Sequence, residues 1–289
     1  MRSPILVFAR CFALIIPFVI DISLAMLSKV PSHPYFLAPQ QPSNPNYPLF
    51  VFIPGMDETG KELMYIQTAG LEAAFDVRCF VIPFDDLTSW DEMTEEIVTL
   101  TQIELEKVPR SPVYLCAESF GSCLALKVLE KFPQLFTNII LINSASSFHR
   151  VPWLNLGSLF FPYTPQLFYQ ISSFLSLPFL ANLSRISPAA RQALSNSTSS
   201  APKETANQRL SLMREFDIDE NKLSHITQPV LLIASKNDRL LPSTAEAQRL
   251  NNIFPNSQII TLPNSGHACL VQNDVNLYEI LLSTNFIVG

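Results

Sequence analysis

Cysteine is sparse and has no pattern. The five residues (Cys11, Cys79, Cys116, Cys123 and Cys269) are odd in number and contain no C-x-x-C pair. They suggest neither a disulfide framework nor a thiolate zinc site, and a reducing compartment fits. Histidine is as rare: His33, His149, His225 and His267 lie far apart, with no H-E-x-x-H or similar spacing. No metal mechanism and no cofactor is therefore expected. Positive charge is also thin, with 19 basic against 25 acidic residues, a net charge of −6 and no basic run. A phosphate backbone would find no footprint, so nucleic acid is not an expected partner. Glycine numbers only seven. A chain this poor in glycine keeps it where backbone geometry demands it.

What is abundant is apolar character, at 48% of 289 residues. A chain of this length buries roughly three quarters of its unfolded surface, enough for one large domain with an insertion and no staples. The densest apolar run, Ile5 to Leu27, is broken only by Arg10, Pro17, Asp21 and Ser23. Spanning a bilayer takes about 20 apolar residues, and an internal Arg and Asp disfavour it. A secretory signal lacks a clear small-x-small site. On a helix at about 100° per residue, Ser3, Arg10, Pro17, Asp21 and Ser28 fall near one azimuth. Residues 1–30 thus read as an apolar helix that lies in a membrane interface or packs on the domain, with a signal or anchor behind these. A cytoplasmic or peripheral-membrane location follows. Residues 31–48, rich in proline, read as an extended linker.

From residue 49 the chain alternates. The runs Leu49–Ile53, Val77–Ile82, Val113–Ala117, Asn138–Ile142, Val230–Ala234 and Gln258–Leu262 are continuous and apolar, as strands buried on both faces of a parallel sheet are. Helical periodicity falls at Gly60–Phe75, Trp90–Lys107, Phe120–Phe132, Ser243–Phe254 and Asn273–Thr284. The expected fold is α/β, a mostly parallel doubly wound sheet over 49–289 with ligands beyond the carboxyl ends of its strands. Alternation stops at about 149–226, too long for a loop, where an aromatic and proline-rich stretch precedes a polar helix near Thr205–Phe216. This reads as an inserted helical cap.

Three loops carry chemistry. Val113-Tyr-Leu-Cys-Ala-Glu-Ser-Phe-Gly-Ser122 runs from a buried strand into a serine with small neighbours and then a helix. A nucleophile elbow needs small residues two before and two after its serine; Ala117 and Gly121 supply them. Such matches also arise by chance at ordinary strand-to-helix turns. Asp238 ends the strand Val230–Ala234 after a short polar loop and could equally cap the next helix. His267 follows Gly266 after the next strand and could be a solvated loop histidine. Serine, acid and histidine nevertheless stand in the order this chemistry requires, each beyond the end of a strand. Ser119 is the expected nucleophile, His267 the base and Asp238 the acid that orients it. Asn143, where some such enzymes place the acid, cannot be a carboxylate. Gly55, Gly121 and Gly266 fall one to each loop that must be tight. The N–H groups of Phe120 and Met56 are the candidate oxyanion donors. Asp57 either binds substrate or, the favoured reading, caps the helix carrying Glu62. Cys116, Cys123 and Cys269 read as core fillers.

On Phe52-Ile-Pro-Gly-Met-Asp-Glu-Thr-Gly60, Ala117-Glu-Ser-Phe-Gly121, Ser235-Lys-Asn-Asp238 and Pro263-Asn-Ser-Gly-His267, the sequence resembles the α/β-hydrolase superfamily. Within it, the chain resembles the hydrolase part of phytyl ester synthase-like proteins of plastids and cyanobacteria. The resemblance covers about Leu49 to Ser283. It implies work on fatty acyl groups, as esterase or lipase or by transfer to long alcohols or diacylglycerol, in a plastid or cyanobacterial setting. Glu58 departs from the glycine usual there, and Ala117 from another. No H-x-x-x-x-D pattern follows. From the residues themselves, Trp153, Phe160, Phe161, Tyr163, Phe168, Tyr169, Phe174 and Phe179 make an aromatic cap suited to an oily substrate, although such aromatics can equally be core. Asp57, Glu118, Trp153, Phe160 and Phe161 are candidate substrate contacts. The expected partner is a fatty acyl ester, acyl thioester or lipid. A small-molecule carboxylesterase or thioesterase, or a non-catalytic binding protein, are the alternatives. A serine at the elbow excludes the haloalkane and epoxide hydrolase chemistries, which need aspartate there.

Overall fold

The computed structural model describes residues 33–37, 39–58, 60–110, 112–166, 169 and 176–287. The apolar stretch 1–30, with its membrane, packing and signal alternatives, lies outside the described residues, as do Phe168 and Phe174. Seven strands form one sheet: β1 (Tyr35–Leu37), β2 (Leu49–Ile53), β3 (Asp76–Val81), β4 (Val113–Glu118), β5 (Asn138–Ile142), β6 (Val230–Ser235) and β7 (Ser257–Leu262). Their order is β1-β3-β2-β4-β5-β6-β7. All neighbours are parallel except β1 on β3. The doubly wound sheet expected from the alternation is what the chain forms. Tyr35–Leu37, inside the stretch read as linker, is the exception. Proline spacing hid this edge strand because three residues are too few to show a period.

Strand side chains divide between two cores. Leu49, Val51 and Ile53 of β2 join Leu115, Ala117, Ile139 and Leu141 on one face, while Phe50 and Phe52 join Cys116, Ile140 and Ile142 on the other. Both faces being covered is why these strands are continuously apolar. The helices are α1 (Lys61–Gln67), α2 (Trp90–Lys107), α3 (Phe120–Lys131), α4 (Pro152–Phe160), α5 (Pro188–Ser200), α6 (Lys203–Arg214), α7 (Glu220–Leu223), α8 (Ser243–Ile253) and α9 (Leu277–Ser283). Ser89 and Glu92 form a reciprocal capping box at the start of α2. The helix expected over Gly60–Phe75 stops at Gln67 because Gly70 takes φ 87°, a left-handed value that ends an α-helix. The one expected over Asn273–Thr284 begins only at Leu277, where the Asn276 side chain accepts from Glu279 N.

Helices α4 to α7 lie between β5 and β6 in the chain. Helix α5 packs through Ala190, Ala193 and Leu194 on Leu63 of α1 and on Ala268 and Val271 beyond β7. In its serine-rich end the hydroxyls of Thr198, Ser199 and Ser200 donate back to carbonyls one turn earlier, which satisfies them within the helix. The indole of Trp90 in α2 donates to Leu212 O in α6 at 2.9 Å and stacks on Phe120 at 4.6 Å.

The sheet reverses winding between β2 and β4, and the crevice beyond their carboxyl ends is where such folds bind ligands. The turn there is tight. A Cβ on Gly121 would lie 2.5 Å from both Ile53 O and Pro54 O. Gly121→Ala should therefore lower the free energy of unfolding by about 1–3 kcal/mol, the usual cost of forced overpacking, read as a lower urea midpoint. Gly157→Ala, where an added Cβ meets nothing within 4 Å, is the control and should match wild type or gain up to about 1 kcal/mol.

Candidate functional site

Ser119 sits between β4 and α3 with φ 53° and ψ −116°. Its N–H donates to Ile142 O at 2.9 Å, and its carbonyl accepts from Ser122 N and Ala145 N at 3.0 and 3.2 Å. These bonds hold the hydroxyl out over the end of the sheet. His267 Nε2 lies 2.7 Å from Ser119 Oγ, and His267 Nδ1 lies 2.7 Å from Asp238 Oδ2. An ionised Asp238 can only accept, so Nδ1 carries the hydrogen and Nε2 is left to accept from the serine. The three residues expected to act together are thus joined by two hydrogen bonds.

Asp238 is fixed from several sides. Its Oδ1 accepts from Leu240 N and Leu241 N at 2.8 and 2.9 Å, and its Oδ2 also accepts from Ser243 Oγ. Asp238 faces His267 and does not cap α8, whose N-cap is Pro242 with no side-chain bond; its other acceptor sites are taken by loop amides that precede the helix. Burial pushes the Asp238 carboxyl up, but the charge and hydrogen bond of His267, with Ser243 and Leu241, hold it below the ordinary value. For His267, burial favours the neutral ring, yet the charge and hydrogen bond of Asp238 and the charge of Glu58 leave the net shift upward.

A cavity of about 330 Å³ opens above Ser119 and His267. Met56, Ala145, Phe148, Trp153, Leu154, Phe161, Leu180, Leu210, Met213, Leu240 and Leu241 give it an apolar wall. A polar cleft of about 420 Å³ touches Asp238 and Gly266 from another side and does not include Ser119. Trp153 and Phe161 thus line the cavity, Trp153 while 60% exposed. Phe160 does not: it is 63% exposed, because α4 turns Leu154, Gly157 and Ser158 inward and leaves Phe160 facing out. Tyr163 and Phe179 are exposed as well, and Tyr169 is buried with its hydroxyl donating to Ala201 O.

Asp57 neither lines the cavity nor caps a helix. The N-cap of α1 is Gly60, with no side-chain cap. The Asp57 carboxylate instead pairs with Arg209 of α6, whose Nη2 also donates to Pro83 O at 2.7 Å. Ser197 of α5 donates to Asp57 O at 2.5 Å and accepts from Gly60 N at 3.3 Å. Two helices therefore clamp the loop that carries Met56. The N–H groups of Met56 and Phe120 donate to no acceptor among the described residues. Phe120 opens α3, where an N–H has no intrahelical partner.

Glu118 does not reach the cavity either. It lies under the turn, fully buried, its Oε2 accepting from Gln67 Nε2 at 3.0 Å, while the same nitrogen donates to Glu58 Oε2 at 2.8 Å. Burial, then the nearby charge of Glu58, drives the Glu118 carboxyl well above the usual range. Glu58, 3% exposed, does line the cavity. Neither Glu58 nor Gln67 was expected as a site residue; the one available signal was a glutamate where a glycine is usual. Asn143, unsuited as an acid, binds all three strand ends. It donates to His267 O at 2.5 Å and Ser235 Oγ at 2.9 Å and accepts from Ser235 N at 2.7 Å. Cys79, Cys116, Cys123 and Cys269 are free, buried thiols.

Residues 85–274 match the family described as the alpha/beta hydrolase fold. The chain is 30% identical over 259 residues to phytyl ester synthase 1, chloroplastic, of Arabidopsis thaliana, covering 82% of this chain and 37% of that protein. It is 36% identical over 101 residues to phytyl ester synthase 2, chloroplastic, of the same plant, covering 35% of this chain and 14% of that one. The chain thus spans well under half the length of these relatives. In fold it matches the crystal structure of the enol-lactonase from Burkholderia xenovorans, with TM-score 0.67, 15% identity and coverage of 88% of this chain and 94% of that one.

Two outcomes follow from this geometry. The His267 ring, followed by its NMR chemical shift, should titrate above 6.5, and Asp238→Asn should move the midpoint down, since the raising charge is removed while the burial that lowers it remains. Asp57→Ala should cost about 3–5 kcal/mol in urea unfolding by stranding the buried Arg209 guanidinium, and the double variant Asp57→Ala/Arg209→Met should recover most of that loss.

Proposed function

The chain belongs to the α/β-hydrolase fold family, and we propose that it is a hydrolase or acyltransferase, a serine enzyme acting on fatty acyl esters through an acyl-enzyme on Ser119. The observation that carries this reading is the Ser119–His267–Asp238 hydrogen-bonded chain at the base of an apolar cavity. The hydroxyl of Ser119 gives its proton to His267 Nε2 as Oγ attacks the acyl carbonyl. Charge on the carbonyl oxygen is met by the N–H groups of Phe120 and Met56, while Asp238 stabilises the imidazolium. Collapse expels the alcohol or thiol, which takes the proton from His267. An acceptor hydroxyl then repeats the sequence in reverse and frees Ser119.

The apolar wall supports a hydrocarbon chain as the acyl part. A fully buried methylene is favourable by about 0.8 kcal/mol. Release to water, giving a hydrolase, or to an alcohol, giving an acyltransferase like the phytyl ester synthases it resembles, uses the same steps.

A fluorophosphonate probe should label wild type and leave Ser119→Ala unlabelled with an unchanged melting temperature. Asp238→Asn should slow turnover by about four orders of magnitude, as when a protease triad holds the wrong imidazole tautomer. Across p-nitrophenyl esters, kcat/KM should climb about two- to fourfold per methylene from acetate to octanoate. Labelling of Ser119→Ala at the wild-type rate would overturn the nucleophile, and a preference for acetate would overturn the lipid substrate.

A further inference from the structure

The cavity is apolar apart from Ser119, His267, Ser158 and Glu58. Ser158 is occupied, its hydroxyl donating to Asn155 O at 2.7 Å. Glu58 is only partly so. Its Oε2 accepts from Gln67 Nε2 and the Gly55 backbone also bonds the carboxyl, while no side chain among the described residues donates to its Oε1. A carboxyl that is 3% exposed and held by Gln67 through one oxygen, in an otherwise apolar cavity beside His267, keeps acceptor capacity on the other oxygen for a donor that enters the cavity. The surroundings keep it in place. Glu58 N donates to Gly55 O at 3.2 Å, and the carboxyl lies so close on Gly55 that a Cβ there would sit 2.9 Å from both Cδ and Oε2.

Glu118 shares the Gln67 amide and, with no cavity contact, is the member of the pair that holds a proton. Burial leaves Glu58 shifted upward as well, and the charge of His267, followed by the hydrogen bonds of Gln67 and Gly55, opposes that shift. The ring gains that positive charge as it takes the proton of the group that attacks the acyl-enzyme. Building on the serine mechanism above, we propose that Glu58 is the acceptor-binding residue, which takes one hydrogen of the attacking water and so selects water over a monohydric alcohol.

The argument is a count of donors. Water has two O–H bonds. One points at His267 Nε2, which removes that proton as the oxygen attacks the acyl carbon. The other is donated to Glu58 Oε1 and stays on the oxygen, ending in the carboxylic acid product. Ser119 Oγ leaves and recovers the proton from His267. A monohydric alcohol has a single O–H, which must serve His267, so its carbon chain would bury Glu58 Oε1 without a partner. Leaving one buried group unpaired is what lets polar sites reject an analogue that lacks a hydroxyl. A vicinal diol meets both demands, since its second hydroxyl can bond Glu58.

The test acylates the full chain with p-nitrophenyl octanoate in the presence of 1-octanol or 1,2-octanediol, and measures octanoic acid against octanoyl ester. Wild type should favour acid with 1-octanol and give at least fivefold more ester with the diol. Glu58→Ala should raise the ester-to-acid ratio with 1-octanol at least tenfold and abolish the diol preference. Glu58→Gln, which keeps the size and an acceptor oxygen, should fall between them. The initial p-nitrophenol burst, which reports acylation of Ser119, should persist in all three proteins. Equal ratios in wild type and both variants, with bursts intact, would overturn the role of Glu58 and leave the serine mechanism standing. Absence of a burst in wild type would instead remove the serine mechanism and this inference with it.

Discussion

Ser119 holds a backbone conformation, φ 53° and ψ −116°, that an L-residue adopts only when its surroundings enforce it. Such a residue costs about 1–3 kcal/mol, and here the surroundings are the sheet itself. The Ser119 amide is fixed to β5 through Ile142 O, and the next turn of α3 is pressed on the end of β2 at Gly121. The strain depends on three adjacent parallel strands keeping register, which in turn depends on the two apolar cores that sandwich them. Any slip of β4 against β2 would relax the turn and withdraw the hydroxyl from His267.

The strands and the Ser119, Asp238 and His267 grouping were legible in the sequence because both follow from short-range rules. A strand buried on both faces must be apolar throughout, and Leu49–Ile53 and Asn138–Ile142 come out with the expected bounds. Ser119, Asp238 and His267 were found by their places after strands, and the geometry brings them within hydrogen-bonding distance. Long-range polar pairing was not legible. Asp57 is 152 positions from Arg209, and Glu58 and Glu118 meet through Gln67 across a sheet-helix interface. Nothing in local composition marks such partners. Phe160 illustrates the same limit within one helix: a nine-residue segment with apolar residues on all sides does not say which side faces inward.

Polar groups around the cavity are nearly all committed to each other. Asp238 accepts from His267, Ser243, Leu240 and Leu241, and Asn143 joins the loops after β5, β6 and β7. This leaves little freedom for rearrangement in the base of the site, while the cavity wall is made of side chains that interact by shape and dispersion alone. Under the proposed function, a fixed polar floor beneath an adaptable apolar wall suits substrates that vary in the acyl chain and share the reacting bond.

The clamp formed by Arg209 and Ser197 on the loop of Asp57 bears on how this architecture could be altered by recombination. The cap does more than shape a pocket, since two of its helices hold the loop that carries Met56, and Leu212 anchors the Trp90 indole that stacks on Phe120. A cap exchanged as a cassette from a relative would carry a new wall but also a new set of anchors. Unless it brought a cation and a hydroxyl to the same two places, the graft would unfasten the opposite bank of the site, so cap and loop must be inherited as a pair.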